Sequence, residues 1–441
     1  MSVNLPWFSK NAAALGAVAL SVGVLAACSS NSSSSSSTGT TAGAGSSTGS
    51  SASSKAPITI GASLSLTGDF SDDGQAYDQG YKLWVKDINA AGGILGRQVK
   101  LTVLNDASSP NQVVTNYNTL ISTDHVDLTF GPFSSLLTTP ASAVAAHNGY
   151  AFVEGGGGAP TVFQSPANEA DHNVFDVSLP IADEMLPFVN YIASLPASTR
   201  DHLTAAYPQA QDPFADPPVE LAAEKLTALG VKSVYDQQFP EEVADYKAPA
   251  DQVAADKPDI VVLGSTDVPT VQAFMTAFEQ QHYTPKLFIA AAGPDQGAAF
   301  ASAVGKGNAA GMMVPDGWYP GFTNAASEKM VAEYVAEYGG TASGVNADVA
   351  EAYSVGQVMD QAIVATGGTN NAAIIKYLHS GAKFTSVQGP VQFDDLGENG
   401  LSDAFVFQWG KGGTNFNQVL PVSAPGSVKI LNPKPAWTSG N

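Results

Sequence analysis

One stretch of the sequence, residues 126–160, constrains the fold of the whole chain. It predicts a strand at 126–130, a sharp glycine-proline turn, a helix at 136–147 and a second strand at 150–153. Strands that alternate with helices in this way indicate an α/β fold with a parallel, doubly wound sheet. In such sheets, ligands lie outside the carboxyl ends of the strands.

The turn and the loop after the second strand supply the first candidate site. Ser134 and Ser135 are placed to cap the predicted helix. A serine beside the free backbone amides of a helix start suits a small anionic group such as a carboxylate. Glu154 and a glycine run at 155–158 leave the end of the second strand. We therefore predict a pocket for a small molecule without catalytic machinery.

The alternation continues on both sides of this stretch. It breaks near residues 173–180, restarts, and becomes mainly helical beyond Trp318. We expect two similar α/β lobes that the chain connects more than once, with the ligand in the cleft between them. The other predicted strands are 58–66, 97–105, 202–207, 233–239, 260–263, 287–290, 391–393 and 404–409, and the helices are 75–91, 110–122, 218–229, 246–255, 268–281, 324–338, 348–366 and 372–378.

Composition excludes several classes of function. Lys and Arg total 19 against 40 Asp and Glu, so the formal net charge is −21, and nucleic-acid binding needs a basic surface. The single cysteine and six scattered histidines predict neither a disulfide nor a protein-built zinc site, and we expect no cofactor. A Gly-x-Ser-x-Gly match at 45–49 lies in a segment that forms no strand-to-helix turn, so it predicts no nucleophile.

Residues 1–28 predict an export signal. Lys10 precedes an apolar run at 11–27, which is shorter than the roughly 20 residues of a spanning helix. The run ends in Leu-Ala-Ala-Cys at Cys28, which resembles a bacterial lipoprotein lipobox. The resemblance implies that Cys28 carries fatty acids such as palmitate and becomes the first mature residue. The alternatives are a secreted chain without lipid or an uncleaved anchor. Residues 29–56, rich in Ser, Gly and Thr, predict a flexible, disordered tether.

Four motifs follow one another along residues 57–410. IGASLSLTG begins at Ile60, GGILGR at Gly92, GPFSS at Gly131 and GPVQFD at Gly389. In this order, behind a lipobox and a tether, they resemble the ABC-transporter solute-binding proteins of the branched-chain amino acid type. That family, similar to Leu/Ile/Val-binding proteins, has the type I periplasmic-binding fold.

The resemblance implies two Rossmann-like lobes joined by a three-crossover hinge, which closes on a small molecule. We place the crossings near Val177, Trp318 and Leu401. The expected division is residues 57–177 plus 319–400 for lobe 1, 178–318 plus 401–435 for lobe 2, and 436–441 for a tail.

The resemblance also implies roles for the first candidate residues. Ser135 matches the position whose hydroxyl and amide hold the ligand carboxylate, although a plain helix cap is the alternative. Gly156, Gly157 and Gly158 stand where the family often has a small-small-threonine segment. This departure keeps the backbone donors and removes a hydroxyl; a flexible loop that requires positive φ is the alternative. Glu154 stands where a small residue is common, and either binds a cationic group or caps a turn.

Further candidates come from the second half of the cleft. Asp295 matches a position that often presents an acid to the ligand ammonium, with a helix cap as the alternative. Phe214, Thr266 and Asp267 follow strand ends where the family has an aromatic and further cleft contacts, and core packing is the alternative for Phe214. The weaker candidates are Asp73 in the first loop and Trp318 at a crossing, as hinge packing or as an aromatic lid.

The expected function is that of the extracytoplasmic solute-binding component of an ABC importer. The ligand would be a small amino acid, amide or related carboxylate, and the partner a membrane permease. We expect a monomer, lipid-anchored on the outer face of the bacterial cell membrane. A sensor of the same fold is the alternative, which sequence alone does not separate. A hydrolase would need a nucleophile with a base, or a carboxylate pair, and no motif outside the tether supports either.

Overall fold

A computed structural model describes residues 55–166, 168, 172–240, 246–322 and 324–438. The strands are β1 (Ile58–Leu64), β2 (Val99–Asn105), β3 (Leu128–Phe130), β4 (Phe152–Glu154), β5 (Val174–Asp176), β6 (Thr204–Ala210), β7 (Lys232–Phe239), β8 (Ile260–Leu263), β9 (Leu287–Ala290), β10 (Met312–Asp316), β11 (Phe384–Ser386), β12 (Gly389–Val391), β13 (Phe405–Trp409) and β14 (Phe416–Leu420). The helices are α1 (Ser71–Ala90), α2 (Pro110–Ser122), α3 (Ser135–His147), α4 (Pro160–Phe163), α5 (Leu186–Ser194), α6 (Ala197–Arg200), α7 (Asp216–Ala228), α8 (Lys247–Asp256), α9 (Val268–Gln280), α10 (Gly297–Val304), α11 (Lys306–Ala309), α12 (Ala325–Tyr338), α13 (Ala347–Thr366) and α14 (Asn371–Leu378).

The first five strands form one parallel sheet in the order β2-β1-β3-β4-β5. Every residue of β3 and β4 is buried, as expected of central strands that helices cover on both faces. Their core also takes side chains from α1, α12 and α13, such as Trp84, Met330 and Val349. This sheet and these helices make lobe 1.

The second sheet has the order β14-β13-β10-β9-β8-β6-β7. Strands β6 to β10 are parallel, whereas β13 runs antiparallel to β10, and β14 runs antiparallel to β13. This sheet and the helices from α5 to α11 make lobe 2. A separate ribbon pairs β11 with β12, and Phe384 and Val391 from this ribbon pack in the core of lobe 1.

The chain moves between the two lobes three times: after β5, after β10 and before β13. Two lobes with three connections are the fold class that the sequence predicts. The crossing points near Val177, Trp318 and Leu401 and the limits of the lobes stay predictions.

Two predicted segments differ from the structure. The break at 173–180 contains β5, a strand that the sequence pattern did not predict. The expected tail at 436–441 is packed as far as it is described: the indole Nε1 of Trp437 donates to the carbonyl of Tyr283 at 2.6 Å, and the amide of Thr438 donates to Asn308 Oδ1 at 2.8 Å.

Cys28 and most of the predicted tether lie outside the described residues, as does the predicted signal. Within the described part of the chain, no helix combines the length and apolarity needed to cross a bilayer.

Candidate ligand-binding site

A cavity of about 60 Å³ lies at the carboxyl ends of strands from both sheets. Gly155 follows β4 and Asp176 ends β5 on one side, whereas Ala291 follows β9 and Asp316 ends β10 on the other. A volume of this size holds several water molecules or a compact solute. Its position is the one that the strand-helix pattern predicts for a ligand.

Carboxyl groups dominate the polar lining of the cavity. Burial raises the pKa of Asp176 and Asp348 to about 7 and that of Asp295 to about 6. Burial and the neighbouring acids together hold the pKa of three further acids, Glu184, Asp316 and Glu351, well above the ordinary carboxyl value. Among the described residues, no Lys, Arg or His lines the cavity. The six acids of this carboxyl cluster are Asp176, Glu184, Asp295, Asp316, Asp348 and Glu351.

Local turns orient three members of the carboxyl cluster. The Asp176 carboxylate accepts the Ser178 amide at 2.8 Å, and Asp316 accepts the Trp318 amide at 3.0 Å. Asp295 accepts a backbone amide two residues before it, at 2.7 Å. Each turn pairs one carboxylate oxygen with the backbone and fixes the direction of the side chain.

Helix α13 of lobe 1 carries two further acids of the cluster, Asp348 and Glu351. The Tyr77 hydroxyl donates to Glu351 Oε2 at 2.5 Å. The side-chain amide of Gln296 donates to Asp348 Oδ2 at 3.1 Å and also to Asp73. Asp73 is buried behind the cavity, and its pKa is raised by burial and by the charge of Asp348. Gln296 therefore joins two buried acids through its side-chain amide.

The Glu154 carboxylate binds the loop that follows it. Its Oε2 accepts the amides of Gly156 at 2.9 Å and Gly157 at 2.6 Å. The side chain is fully buried, and Gly131 makes room for it, because a Cβ there would lie 2.2 Å from Glu154 Cβ. Burial and the charge of Asp176 raise the Glu154 pKa. An acid of the protein thus occupies two backbone donors of the glycine loop.

The glycine loop is shaped by close packing. Gly156, Gly157 and Gly158 all lack positive φ, so the alternative that they serve a left-handed backbone is wrong. A Cβ at these positions would lie 2.5 Å from the Tyr77 hydroxyl, 2.6 Å from Thr138 and 2.8 Å from the Asp176 carboxyl, respectively. A side chain at any of these positions would therefore force its neighbours to move.

The two serines of the turn have different surroundings. Ser134 lines the cavity, adopts φ 74°, and accepts the Leu137 amide at 3.3 Å as the cap of α3. Positive φ is costly for a residue with a Cβ and is concentrated at functional sites. The Ser135 hydroxyl accepts the Ala159 amide at 3.1 Å and does not line the cavity.

The sequence pattern of one family, described as periplasmic binding protein, matches residues 57–414. The chain belongs to this family. That result confirms the family predicted from the four motifs. Periplasmic binding proteins of this transport class bind solutes and are not enzymes.

The relatives of this periplasmic binding protein agree with that assignment. An "Amino acid binding protein" from Pseudomonas aeruginosa is 25% identical over 366 residues, covering 80% of this chain and 90% of the relative. The branched-chain amino acid binding protein LivJ from Streptococcus pneumoniae, in complex with isoleucine, has a TM-score of 0.69 at 19% identity and covers 82% of this chain and 99% of its own. A solute-binding protein from R. palustris in complex with benzoate has a TM-score of 0.70 at 16% identity, covering 86% and 98%. These structures confirm the type I fold.

The structure brings half of the predicted ligand-binding residues to the cavity. Those that line it are Ser134, Gly156, Gly158, Phe214, Thr266 and Asp295. The six others lie outside its lining: Glu154, Gly157, Ser135, Asp73, Asp267 and Trp318. All twelve ligand-binding roles stay predictions.

Two of the residues outside the lining have structural contacts of their own. Asp267 caps α9 by accepting the Thr270 amide at 2.8 Å. Trp318 is fully buried, and its indole Nε1 donates to Ser327 at 2.9 Å.

Asp295, which lines the cavity, does not cap the helix that follows it, because its carboxylate accepts the backbone amide of Gly293.

Five acids of the carboxyl cluster were not predicted from the sequence. Asp176 and Asp316 end strands that the sequence pattern did not show, so their position at a sheet edge was hidden. Asp348 and Glu351 begin a helix with a spacing of three, which places both on one face. That spacing was the available signal. Glu184 follows an irregular connection that carries no comparable pattern.

Proposed function

We propose that this periplasmic binding protein is the extracytoplasmic solute-binding component of an ABC importer. It captures a small amino acid, amide or related carboxylate between its lobes, leaves it chemically unchanged and presents it to a permease. The observation that carries this proposal is the cavity at the strand ends of both lobes, with six carboxyls in its lining. A solute that contacts both sides stabilises the closed form by its difference in affinity for the two states.

The proposal includes the route to the membrane. Cys28 carries the lipid, and the tether at 29–56 gives the folded part freedom to reach the permease. The protein acts there as a monomer on the outer face of the membrane. A sensor that presents the closed lobes to a signalling partner would use the same cavity, and only the identity of the membrane partner separates the two functions.

The proposed ligand classes are an amino acid, an amide or a related carboxylate, as the family resemblance suggests. The named relatives include proteins bound to isoleucine and to benzoate. In this cavity the ammonium end of a ligand finds acceptors, because Asp295 and its neighbours are acids. These acids support an amino group as the common feature of the ligand.

A thermal-shift screen of the purified full-length protein tests the proposed function. The panel contains amino acids, their amides, aromatic carboxylates and amines. A solute at 100 times its Kd raises the free energy of unfolding by about 2.7 kcal/mol, which moves the melting temperature measurably. Mass spectrometry of the recovered solute accompanies each hit. A panel without any hit, or a hit recovered in altered form, contradicts the proposal.

A further inference from the structure

The backbone donors that the family resemblance assigns to a ligand carboxylate are occupied by the protein itself. Gly156 and Gly157 both donate their amides to Glu154 Oε2, at 2.9 and 2.6 Å. Gly131 accommodates the Glu154 side chain by having no Cβ. A hydroxyl of the same turn is also engaged, since Ser135 accepts the Ala159 amide. A ligand carboxylate would have to displace these internal contacts.

The carboxyl cluster has no counter-charge within the described residues. Every ion pair of that part of the chain lies elsewhere, and no Lys, Arg or His lines the cavity. A ligand carboxylate here would therefore add another negative charge to a site that already holds several acids. At separations of a few ångströms in a poorly solvated site, that repulsion is much larger than in water.

A second observation points to a donor that the protein lacks. Asp176 Oδ2 and Glu184 Oε2 belong to side chains that are 0% and 6% exposed, and both side chains line the cavity. Neither oxygen has a hydrogen-bond partner in the described residues. Buried carboxylate oxygens are normally paired, because leaving one unpaired costs free energy. A ligand with N–H donors would satisfy both.

The arrangement of the acids favours an organic cation over a metal ion. Within the described ranges, no three acidic, histidine or cysteine side chains converge closely enough to hold a metal. The acids are instead distributed around the cavity, from the end of β5 to the start of α13. Such a distribution matches a molecule whose positive groups are separated along its length.

We propose that the site selects a compact organic amine with net positive charge, such as a diamine, and that Glu154 stands where the carboxylate of an amino acid would bind. The inference rests on the proposed solute-binding function and names its substrate class. The protein supplies the anion on the glycine loop, and the ligand supplies only cationic groups to the carboxyl cluster.

Calorimetry with matched pairs of solutes tests the inference. The pairs are 1,4-diaminobutane with ornithine and 1,5-diaminopentane with lysine, whose members differ by one carboxylate. We expect the full-length protein to bind at least one diamine about ten-fold or more tightly than its amino acid partner. Equal or tighter binding of the amino acids overturns the inference. Failure of all four solutes also overturns it, while a hit elsewhere in the thermal-shift panel leaves the proposed function standing.

Variants locate the charge recognition in the cavity. Glu184→Gln and Asp176→Asn remove one charge each without changing size, and each should weaken diamine binding about ten-fold or more. The matched control is Asp360→Asn, which neutralises a half-buried acid of α13 outside the cavity lining and should leave affinity within two-fold. Loss of affinity in the control equal to that in the cavity variants overturns the assignment.

Glu154→Ala provides a change in the opposite direction. It frees the amides of Gly156 and Gly157, so ornithine and lysine should gain affinity relative to their diamines. Glu154→Gln keeps an oxygen acceptor for the loop and should show a smaller gain. If the alanine variant retains the folded melting transition but no change in preference, Glu154 does not stand in for a ligand carboxylate.

Discussion

At the scale of single residues, the two serines at the start of α3 make different contacts. Ser134 caps the helix from a left-handed backbone, with φ 74°. Ser135 ties the start of the helix to the glycine loop, because its hydroxyl accepts the amide of the buried residue Ala159 at 3.1 Å. The turn and the loop are therefore one unit, and a change in either is expected to move both.

Replacing Ser135 by alanine should destabilise this unit. The Ala159 amide would lose its acceptor in a buried site, which costs about 1–3 kcal/mol of unfolding free energy. Urea denaturation measures this loss. Thr139→Ala is the control, since it removes a hydroxyl from a half-buried position of the same helix, where the hydroxyl donates to a helical carbonyl. Equal effects of the two substitutions would argue against a special role for Ser135.

Sequence reasoning located site residues where a local pattern marks the end of a strand. Ser134 was predicted in this way and Asp295 from the family resemblance, and both line the cavity. The pairing of Glu154 with the glycine amides could not be predicted, because Glu154 was open to either a ligand or a turn. The structure shows the turn contacts, through the two glycine amides, and the close packing of Gly131 against the Glu154 side chain.

At the scale of elements, the crossing of α1 and α13 holds part of the cavity in place. Each helix contributes a glycine to the contact. A Cβ at Gly80 would lie 2.5 Å from the carbonyl of Val349, and one at Gly356 would lie 2.1 Å from the Trp84 ring. Since α13 also carries Asp348 and Glu351, the position of these acids depends on how closely the two helices approach.

Gly356→Ala should force these helices apart. We expect a loss of about 1–3 kcal/mol in the free energy of unfolding, the usual cost of an overpacked core. Diamine affinity should also fall, because α13 carries two acids of the cluster. Gly368→Ala serves as the control, since a Cβ there meets nothing within 4 Å. Chemical denaturation and calorimetry on both variants check the prediction, which is wrong if Gly356→Ala behaves like the control.

Length alone did not decide which elements were predictable, since the three-residue strands β3 and β4 were predicted. The 13-residue helix α2 and the buried strands β8 and β9 have the bounds that the sequence pattern indicates. The three-residue strand β5 and the five-residue strand β10 were missed. The antiparallel strand β14 was also missed, since its pairing with β13 is a tertiary contact.

At the scale of the whole molecule, the carboxyl cluster should reverse the usual pH dependence of stability near neutrality. Burial raises the pKa of Asp176 and Asp348 to about 7 and that of Asp295 to about 6, above the unfolded value of about 3.9. The folded state therefore binds more protons than the unfolded chain in this range. The contribution to stability is complete below about pH 4 and is lost as pH rises to about 7.

Melting temperatures of the ligand-free protein between pH 5 and pH 8 check this sign. We expect the melting temperature to fall across the range, and a double variant, Asp176→Asn with Asp348→Asn, to show a flatter profile. The single variant Asp124→Asn alters an exposed acid outside the cavity lining and is the control for general charge effects. A melting temperature that rises with pH in the unmodified protein would contradict the prediction.

The acids around the cavity belong to opposite sides of it: Asp176 ends a strand of one sheet, and Asp316 ends a strand of the other. Closure of the lobes brings these acids closer together and increases the repulsion between ionised carboxylates. A cation that contacts both sides offsets this repulsion and stabilises the closed form. We expect an uncharged solute to enter the cavity without offsetting this repulsion, so it stabilises the closed form less. Because dissolved salt screens the same repulsion, we expect ionic strength to shift the balance between the open and closed forms of the ligand-free protein.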